Sequence, residues 1–472
     1  MPELSSSPPA PPAAASRILI TGGRVMDPAS GLEQDADIAV VDGRIADIKP
    51  RLSRAGATRV IDAEGCLVVP GLIDPHVHLR EPGNERAETI ATGTAAAVAG
   101  GFTSVSCMPN TTPALDNDSM MELIYTRAAK TGLCRVFPVG AVSKGRHGNE
   151  LAEIQLMAKC GAVGFSDDGD CVASAGLMLR ALATVKVAGG GKLAIMQHCQ
   201  EPTLTRGSVM HSGELATRLG LTGWPRVAEE VVIERDILLN RGIGCPYHVQ
   251  HLSSGGSVEI IRRARAEQQP VSAEASPHHL LLTHEAILNG GGYDTNAKMN
   301  PPLRETSDIK AIKLGIADGT ITVLATDHAP HPMGDKELEF EAASFGIVGL
   351  ETALALYIEA LITPGVIGWM KLIEMMTIAP AKLCGLDALG LGMLRVGGPA
   401  DITIIDPSQR WTITRDELAG RSRNTPFVGR KVQGRAVATV VGGTVRLDRR
   451  RREIPVSQPQ LKLRPAPVEL PI

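Results

Sequence analysis

The segment CLVVPGLIDPHVH, residues 66–78, is a run of aliphatic residues that ends in two histidines. Short apolar runs bounded by glycine and proline are typical of strands that are buried on both faces. Seven further segments have the same texture, and each is followed by a helical pattern or by a loop and a helix. They are FTSVSCMPN (102–110), RVFPVGAVS (135–143), GAVGFSDD (161–168), KLAIMQHC (192–199), CPYHVQHLS (245–253), QPVSAEASPHH (269–279) and ITVLATDH (321–328).

Eight strand–helix units in series predict an α/β fold with a (β/α)8 barrel of the TIM type, which we place at residues 71–387. One of its helices is predicted to begin after Asn117 and to end at Gly132, which carry a cap signal and a stop signal. The flanking stretches, 17–70 and 388–447, alternate apolar and polar residues between glycine-containing turns. We therefore expect strands from both chain ends to form one small β-sandwich domain around the inserted barrel.

The composition excludes several classes of function. Among 472 residues, 48 Lys and Arg stand against 51 Asp and Glu, and the net charge of −3 lacks the positive field of a nucleic-acid binder. No apolar run approaches the ~18 residues of a membrane span. Eight cysteines without regular spacing predict reduced thiols and a cytoplasmic protein. The Pro/Ala/Ser-rich start, 1–16, is predicted to be a disordered tail, and the Pro-rich end, 448–472, either an extended strap over the surface or a second loose tail.

Residues that can bind metals follow several predicted strands at the point where each strand ends, which is where barrel enzymes carry their chemistry. His76 and His78 lie two residues apart, so both imidazoles point to the same face of the first strand. His198, His251 and Asp327 end three further strands. A cluster this polar is costly to bury without ions. Imidazoles with a carboxylate favour Zn²⁺, with Mn²⁺, Co²⁺ or Fe²⁺ as alternatives.

A second carboxylate would allow a site with two metal ions. Asp167 and Asp168 end the fourth strand, and alternation sends one of them into the barrel mouth and the other outward. An isolated DDG favours a turn, but a position between ligand-bearing strands favours a ligand. Two divalent ions ~3.5–4 Å apart lower the pKa of a shared water to near neutrality and polarise a carbonyl group. Asp327 is then the expected proton acceptor and donor for cleaving or forming an amide-like C–N bond.

Further residues near the strand ends are candidate substrate contacts. Arg80 lies on the same face of the first strand as the two histidines, and a guanidinium there fits a substrate carboxylate, although a surface salt bridge is its usual role. Asn110 ends the second strand, Asn300 lies in a proline-bounded turn, and His331 follows the last strand. The stretch GDKE, 334–337, resembles a mobile lid or, equally, a plain charged turn.

Taken together, these segments resemble the amidohydrolase superfamily and, more narrowly, the class I bacterial dihydroorotases. The resemblance is carried by DPHVHLREPG, GGFTSVSCMPNTTP, GFSDDG, HVQHLSS, SPHHLLLT, KMNPPLR, ATDHAPH and SFGIVGLET. These strings run across the chain, from its first β segments to its last. The resemblance implies the reversible cyclisation of N-carbamoyl-L-aspartate to dihydroorotate, a step of pyrimidine biosynthesis.

The resemblance also implies the residues of the site. Two zinc ions per subunit would be held by His76, His78, Asp168, His198, His251 and Asp327. Asp168, rather than Asp167, would bridge the ions, where hydantoinases and allantoinases use a carboxylated lysine. Asp327 would also be the catalytic base. The implied substrate contacts are Arg80, Asn110, Asn300, His331, Phe345 and Gly346.

Three residues depart from the family pattern without removing a ligand: Gln200 replaces an acid, Gln250 a cysteine and Ser344 a proline. Two other functions stay open, a cyclic amidohydrolase of the allantoinase or hydantoinase type and a non-catalytic scaffold subunit of aspartate carbamoyltransferase. Asp168 and Arg80 argue against the first, and the intact ligand set argues against the second. Barrels of this kind often pair through outer helices, so we expect a homodimer, with aspartate carbamoyltransferase as a further candidate partner.

Overall fold

The computed structural model describes residues 17–450, so the predicted tails lie outside the described residues, except for 448–450 at the end of the last strand. The strands are β1 Arg17–Asp27, β2 Leu32–Val41, β3 Arg44–Lys49, β4 Arg59–Asp62, β5 Leu67–Pro70, β6 Leu72–Val77, β7 Phe102–Cys107, β8 Arg135–Pro138, β9 Ile195–Gln197, β10 Met210–His211, β11 Gly223–Trp224, β12 Tyr247–Val249, β13 Val271–Ala275, β14 Val323–Leu324, β15 Ile402–Thr412, β16 Lys431–Val441 and β17 Thr444–Asp448. The α-helices are α1 Ile90–Gly100, α2 Asp118–Thr131, α3 Ile154–Lys159, α4 Ala175–Ala188, α5 Pro202–Thr205, α6 Glu214–Leu219, α7 Val227–Asn240, α8 Gly255–Ala266, α9 Pro277–Leu281, α10 Thr306–Ala317, α11 Met333–Lys336, α12 Ala353–Tyr357, α13 Trp369–Met376 and α14 Ile378–Leu383.

Eight parallel segments close into a barrel. β6, β7 and β8 pair in that order, and so do β9, β12, β13 and β14. Phe165 forms parallel bridges to Gly140 and to Ile195, which inserts the fourth segment between β8 and β9. A parallel bridge between Val77 and His328 closes the ring. The predicted (β/α)8 barrel is therefore confirmed, although its fourth strand is reduced to a single bridging residue.

The two chain ends build one β-sheet beside the barrel. Its strand order is β17-β16-β15-β5-β1-β2-β3, and β4 pairs with β1. Ile20 and Ile38 from the first chain end bury in the same core as Ile404 and Val440 from the second. The small β domain predicted from both chain ends is therefore confirmed, and its eight strands belong to one hydrogen-bonded sheet.

The prediction of one strand at 66–78 is wrong, because the segment contains two strands of different sheets. β5 pairs with β1 and β15, whereas β6 pairs with β7. Gly71 separates them, and its N–H donates to the Asp401 carbonyl at 2.9 Å. A Cβ at Gly71 would lie 2.0 Å from Thr103 Oγ1, so the chain passes here only without a side chain. The sequence hides this break because buried strands of both sheets have the same apolar composition.

The helix expected after the second barrel strand begins and ends as predicted. Asn117 Oδ1 accepts the N–H of Met120 at 3.2 Å, and Gly132 donates its N–H to the Ala128 carbonyl at 2.8 Å. These contacts satisfy backbone groups that the ends of α2 would otherwise leave unpaired. Among residues 17–450, no helix is long and apolar enough to cross a bilayer.

Candidate metal centre and substrate cavity

The ends of the barrel segments bring all six predicted metal ligands into one cluster. Each ligand lies in the last residues of a barrel segment or directly after it, and none is more than 5% exposed. Imidazoles and carboxylates in such a place need charged or hydrogen-bonded partners. The cluster consists of His76, His78, Asp168, His198, His251 and Asp327.

Asp168 lies in the middle of this cluster. Its Oδ1 is 3.3 Å from His76 Nε2, 3.5 Å from His198 Nδ1 and 3.6 Å from His251 Nε2. Its Oδ2 is 3.4 Å from His78 Nε2. Burial opposes ionisation of Asp168, but the charge of His76 and the imidazoles of His198 and His251 beside it hold its pKa well below the usual range. One ionised carboxylate therefore faces four imidazoles.

Asp167, the alternative bridging residue, points away from the cluster. Its Oδ1 accepts the N–H groups of Val142 at 2.8 Å and Ser143 at 3.0 Å. Its Oδ2 accepts the Ser143 hydroxyl at 2.5 Å. Alternation along the fourth segment thus sends the two aspartates to opposite sides.

Asp327 completes the cluster from the last barrel strand. Its Oδ1 is 3.1 Å from His78 Nε2 and 3.5 Å from His76 Nε2. Asp327, His251 and Arg80 have φ angles of 48°, 29° and 58°, which makes them three of the seven described non-glycine residues with positive φ. Such backbone conformations cost free energy and persist only where the surrounding structure enforces them. They are common at functional sites.

Two of the imidazoles are oriented by an amide that binds the ring nitrogen not facing Asp168. His78 Nδ1 donates to Asn110 Oδ1 at 2.8 Å, and His198 Nε2 donates to Gln200 Oε1 at 3.0 Å. Such contacts fix the tautomer and turn the other ring nitrogen toward the cluster, where His78 Nε2 lies 3.4 Å from Asp168 Oδ2 and His198 Nδ1 lies 2.8 Å from His251 Nε2. Gln200, noted as a departure from the family pattern, therefore still serves as an acceptor for a ligand histidine.

Glu274 in β13 contacts the cluster from behind, and the sequence analysis missed it. Its Oε1 is 2.6 Å from His76 Nδ1 and accepts the N–H of His251 at 3.2 Å, while its Oε2 is 3.0 Å from His248 Nε2. Burial opposes its charge, but His76 and His248 lower the pKa of Glu274 to about 2. The signal in the sequence is an acid inside the apolar run VSAEA, one strand after a ligand-bearing strand.

The donors of the cluster fit divalent metal ions. His76 Nε2 and Asp168 Oδ1 are buried, and neither has a hydrogen-bond partner among the described residues. Within the cluster, two groups of three ligand atoms lie within 4.8 Å of one another, namely His76, Asp168 and His251, and His76, His78 and Asp327. Four imidazoles and two carboxylates form a donor set typical of zinc and related metals.

A cavity of about 450 Å³ adjoins the cluster and contains the predicted substrate contacts. Every predicted site residue except His76 lines this cavity. The lining includes His78, Asp168, His198, His251 and Asp327 with Arg80, Asn110, Asn300, His331, Phe345 and Gly346.

Arg80 brings a positive charge into the cavity, and its hydrogen-bond acceptors are neutral. Its Nε donates to the Pro330 carbonyl at 3.1 Å, and its guanidinium donates to His331 Nε2 at 3.2 Å. Burial and the Arg80 charge lower the pKa of His331 to about 3, so this imidazole carries no charge at neutral pH. Burial also lowers the pKa of Arg80 to about 10, which leaves the guanidinium protonated. The cavity therefore offers a cation to an acidic ligand.

Asn300 offers an acceptor on another wall of the cavity. Its Nδ2 donates to Gln200 Oε1 at 3.2 Å. Its Oδ1 is buried and has no hydrogen-bond partner within residues 17–450. Because Asn300 lines the cavity, this oxygen is available to an N–H group of a ligand.

Comparisons with known proteins agree with this geometry. The family model described as "Dihydro-orotase-like" matches residues 65–257. The dihydroorotase of Trichlorobacter lovleyi is 47% identical over 428 residues, which cover 91% of this chain and 98% of the relative. The dihydroorotase of Pelotomaculum thermopropionicum is 48% identical over 429 residues, with the same coverage of 91% and 98%.

Solved structures of hydantoinases share the fold. The L-hydantoinase (dihydropyrimidinase) of Arthrobacter aurescens has 27% identity and a TM-score of 0.81, and the match covers 92% of this chain and 96% of that one. The dihydropyrimidinase of Brevibacillus agri has 23% identity and a TM-score of 0.80, covers 92% and 95%, and shows the fold alone. With curated relatives 47% and 48% identical across 91% of its length, this chain belongs to the dihydroorotase family.

Proposed function

We propose that this protein catalyses the reversible cyclisation of N-carbamoyl-L-aspartate to (S)-dihydroorotate with release of water, in de novo pyrimidine biosynthesis. The observation that carries the proposal is Arg80, a cation with neutral partners in the same cavity as the histidine–carboxylate cluster. Hydrolysis of a cyclic amide needs the cluster, and an acidic substrate needs the cation. The names of the curated relatives support the same activity.

We assign two divalent metal ions, with zinc as the first choice, to the cluster. His76 and His78 would hold one ion, His198 and His251 the other, and Asp168 would bind both. When bound, such ions lower the pKa of a water molecule and polarise a carbonyl oxygen. The assignment is supported by the unpartnered buried atoms His76 Nε2 and Asp168 Oδ1.

Asp327 is the proposed proton carrier. In the hydrolytic direction its carboxylate takes a proton from the attacking water and delivers it to the ring nitrogen as the C–N bond breaks. In the cyclising direction the proton moves back, and the carboxyl group under attack loses its oxygen as water. Burial disfavours the charge on Asp327, but His76 and His78 hold its pKa below the usual range, so the group starts as a base.

The free carboxylate of the substrate is assigned to Arg80, and a ring N–H to Asn300 Oδ1. A guanidinium binds a carboxylate through two parallel hydrogen bonds, which a neutral ring does not form. The pocket therefore favours dihydroorotate over uncharged cyclic amides. The other proposed contacts are Asn110, His331 and the backbone of Phe345 and Gly346.

The two alternative functions require different residues from those found here. A hydantoinase or allantoinase would act on a neutral ring, for which Arg80 has no role. The hydantoinase fold of the solved neighbours does not separate these activities, because one fold serves many substrates. A scaffold subunit would need neither the six ligands nor the orienting contact of Glu274.

Metal analysis and turnover of the purified protein test the proposal together. We expect about two metal equivalents, as a two-metal hydrolytic site requires, and turnover of dihydroorotate but not of allantoin or hydantoin. Asp168→Ala should lose metal, whereas Asp327→Ala should keep most of it and lose turnover. The proposal is wrong if the metal-loaded protein interconverts dihydroorotate and N-carbamoyl-L-aspartate in neither direction.

We also propose a cytoplasmic location, because all eight cysteines are unpaired and thus fit a reducing compartment. The homodimer and the association with aspartate carbamoyltransferase stay predictions. Sedimentation of the protein alone, and mixed with that enzyme, measures both.

A further inference from the structure

An irregular stretch of chain, residues 340–346, covers one side of the substrate cavity, and we call it the cavity segment. It contains neither helix nor strand, and residues 341–346 all line the cavity. Backbone carbonyls in such a segment cannot find partners in a regular ladder. Five of them accept hydrogen bonds from two lysines outside the segment, and Asn424 Nδ2 also donates to the Gly346 carbonyl at 3.0 Å.

Lys298 lies beneath the cavity segment and is 1% exposed. Its Nζ donates to the carbonyls of Phe340 at 2.6 Å, Glu341 at 2.9 Å and Ala343 at 2.7 Å. These three bonds use every N–H of the ammonium group. The Lys298 carbonyl also accepts the N–H of Gly346 at 3.0 Å. Both the side chain and the main chain of Lys298 therefore hold the cavity segment.

Lys298 also contacts the aromatic ring that the cavity segment presents. Its Nζ lies 4.4 Å from the centroid of the Phe345 ring. A cation at this distance from a ring face is attracted to it. Trp224 packs edge-on against the same ring, with the two centroids 6.4 Å apart. The position of Phe345 thus depends on Lys298 as well as on packing.

Lys336 in α11 is the second lysine and is 4% exposed. Its Nζ donates to the carbonyls of Ser344 at 2.7 Å and Gly346 at 3.2 Å. Lys336 belongs to the stretch 334–337 that the sequence left open as a lid or a charged turn. Its buried ammonium group does not fit a solvated turn, because it is bonded to the chain that lines the cavity.

All five acceptors of the two ammonium groups are backbone carbonyls of the cavity segment. Burial lowers the pKa of Lys298 to about 8, and burial together with the Lys298 charge lowers the pKa of Lys336 to about 7. A buried ammonium group without a carboxylate partner costs free energy. Two buried lysines are therefore not explained by a gain in folding stability. Because both bind the cavity segment, they indicate a role in holding that segment in place.

We propose that Lys298 and Lys336 are positioning residues for substrate binding, which fix the cavity segment against the turn that carries Asn300. Lys298 lies two residues before Asn300 in the chain and bonds directly to the cavity segment. The spacing between Asn300 Oδ1 and the backbone of Phe345 and Gly346 thus depends on the lysine contacts. The proposal rests on the proposed function, since the ligand between these walls is the dihydroorotate ring.

The test compares Lys298→Met and Lys336→Met with Lys186→Met in the metal-loaded protein. Lys186 is the matched control, because its Nζ also donates to a backbone carbonyl, that of Ile243, away from the cavity. In the first two variants we expect the KM for dihydroorotate to rise roughly 10- to 100-fold, with a smaller change in kcat and unchanged metal content. Amide hydrogen exchange of residues 340–346 should become faster in the same two variants. Neither quantity should change in Lys186→Met.

An unchanged KM in both folded variants overturns the proposal, and so does a fall in kcat at constant KM and constant exchange. If Lys298→Met does not fold, the result for Lys336→Met decides the proposal. Lys336 contacts only Ser344 and Gly346 of the segment, so its loss disturbs the fold less. If the unmodified protein does not turn over dihydroorotate, the proposed function fails. In that case exchange of residues 340–346 still decides whether the lysines hold the segment.

Discussion

His76 Nδ1 lies 2.6 Å from Glu274 Oε1, and both side chains are removed from solvent. The contact fixes the ring so that Nε2 faces Asp168 at 3.3 Å. A carboxylate behind a ligand histidine fixes its tautomer and raises its basicity. Glu274 therefore orients His76 toward Asp168, although the two residues are 198 positions apart in the chain.

Glu274→Gln removes the charge while keeping an acceptor of similar shape. We expect metal affinity to fall roughly 10- to 100-fold, because the imidazole loses its ionised partner. Competition with a chelator of known affinity measures this change. Glu259→Gln, at an exposed position that pairs with Arg262, is the control and should bind metal as before. Equal affinities in the two variants would show that Glu274 does not tune the site.

Asp168→Asn and Asp167→Asn should change different properties of the protein, its metal content and its stability. Asp168→Asn should reduce the metal content, since its oxygens face all four imidazoles. Asp167→Asn should keep metal but lower the free energy of unfolding by about 1–3 kcal/mol, because its acceptor bonds to Val142 and Ser143 are weakened. Elemental analysis and denaturant titration measure the two effects. The opposite pattern would make Asp167 the bridging residue.

Arg80→Met should act mainly on substrate binding. Loss of a charge-assisted contact worth about 1.5–3 kcal/mol corresponds to a rise in the KM for dihydroorotate of roughly 10- to 100-fold. Arg80→Lys should restore part of the substrate binding, because the positive charge remains but the two parallel N–H donors of the guanidinium do not. Steady-state kinetics in both directions measure the change. A fall in kcat with an unaltered KM would place Arg80 outside the carboxylate subsite.

Glu351 predicts a pH dependence of stability that is independent of the metal site. Its carboxylate accepts the N–H groups of Ala419 at 2.8 Å and Gly420 at 3.1 Å. Burial raises the pKa of Glu351 to about 7, although those N–H groups act in the opposite direction. The folded protein then holds the proton more tightly than the unfolded chain does. Stability therefore falls as the pH rises from the normal glutamate range to about 7.

Glu351→Gln should flatten this dependence. We expect the difference in unfolding free energy between pH 5 and pH 8 to shrink in the variant by up to about 3 kcal/mol. Denaturant unfolding of the two proteins at both pH values measures this difference. A pH dependence that is identical in the two proteins would mean that Glu351 titrates normally in the folded state.

The order of residues along the chain was sufficient to predict the barrel, the β domain from both chain ends and five of the six clustered side chains, with Asp167 or Asp168 as the sixth. Apolar runs of strand length mark each barrel segment, and a polar residue directly after such a run must lie at the same rim as its counterparts. These are local patterns, so they can be read without knowing how the chain packs. The break at Gly71 was missed for the same reason, because the residues directly on both sides of it are apolar and both strands are fully buried.

Only the tertiary structure decided contacts that depend on where a side chain points. It directs Asp168 toward the imidazoles and Asp167 toward Ser143, although both residues follow the same strand. It places Glu274 behind His76 and the ammonium group of Lys298 under the cavity segment. The physical reason is that hydrogen-bond direction and burial are set by neighbours far apart in the chain, which no local pattern encodes.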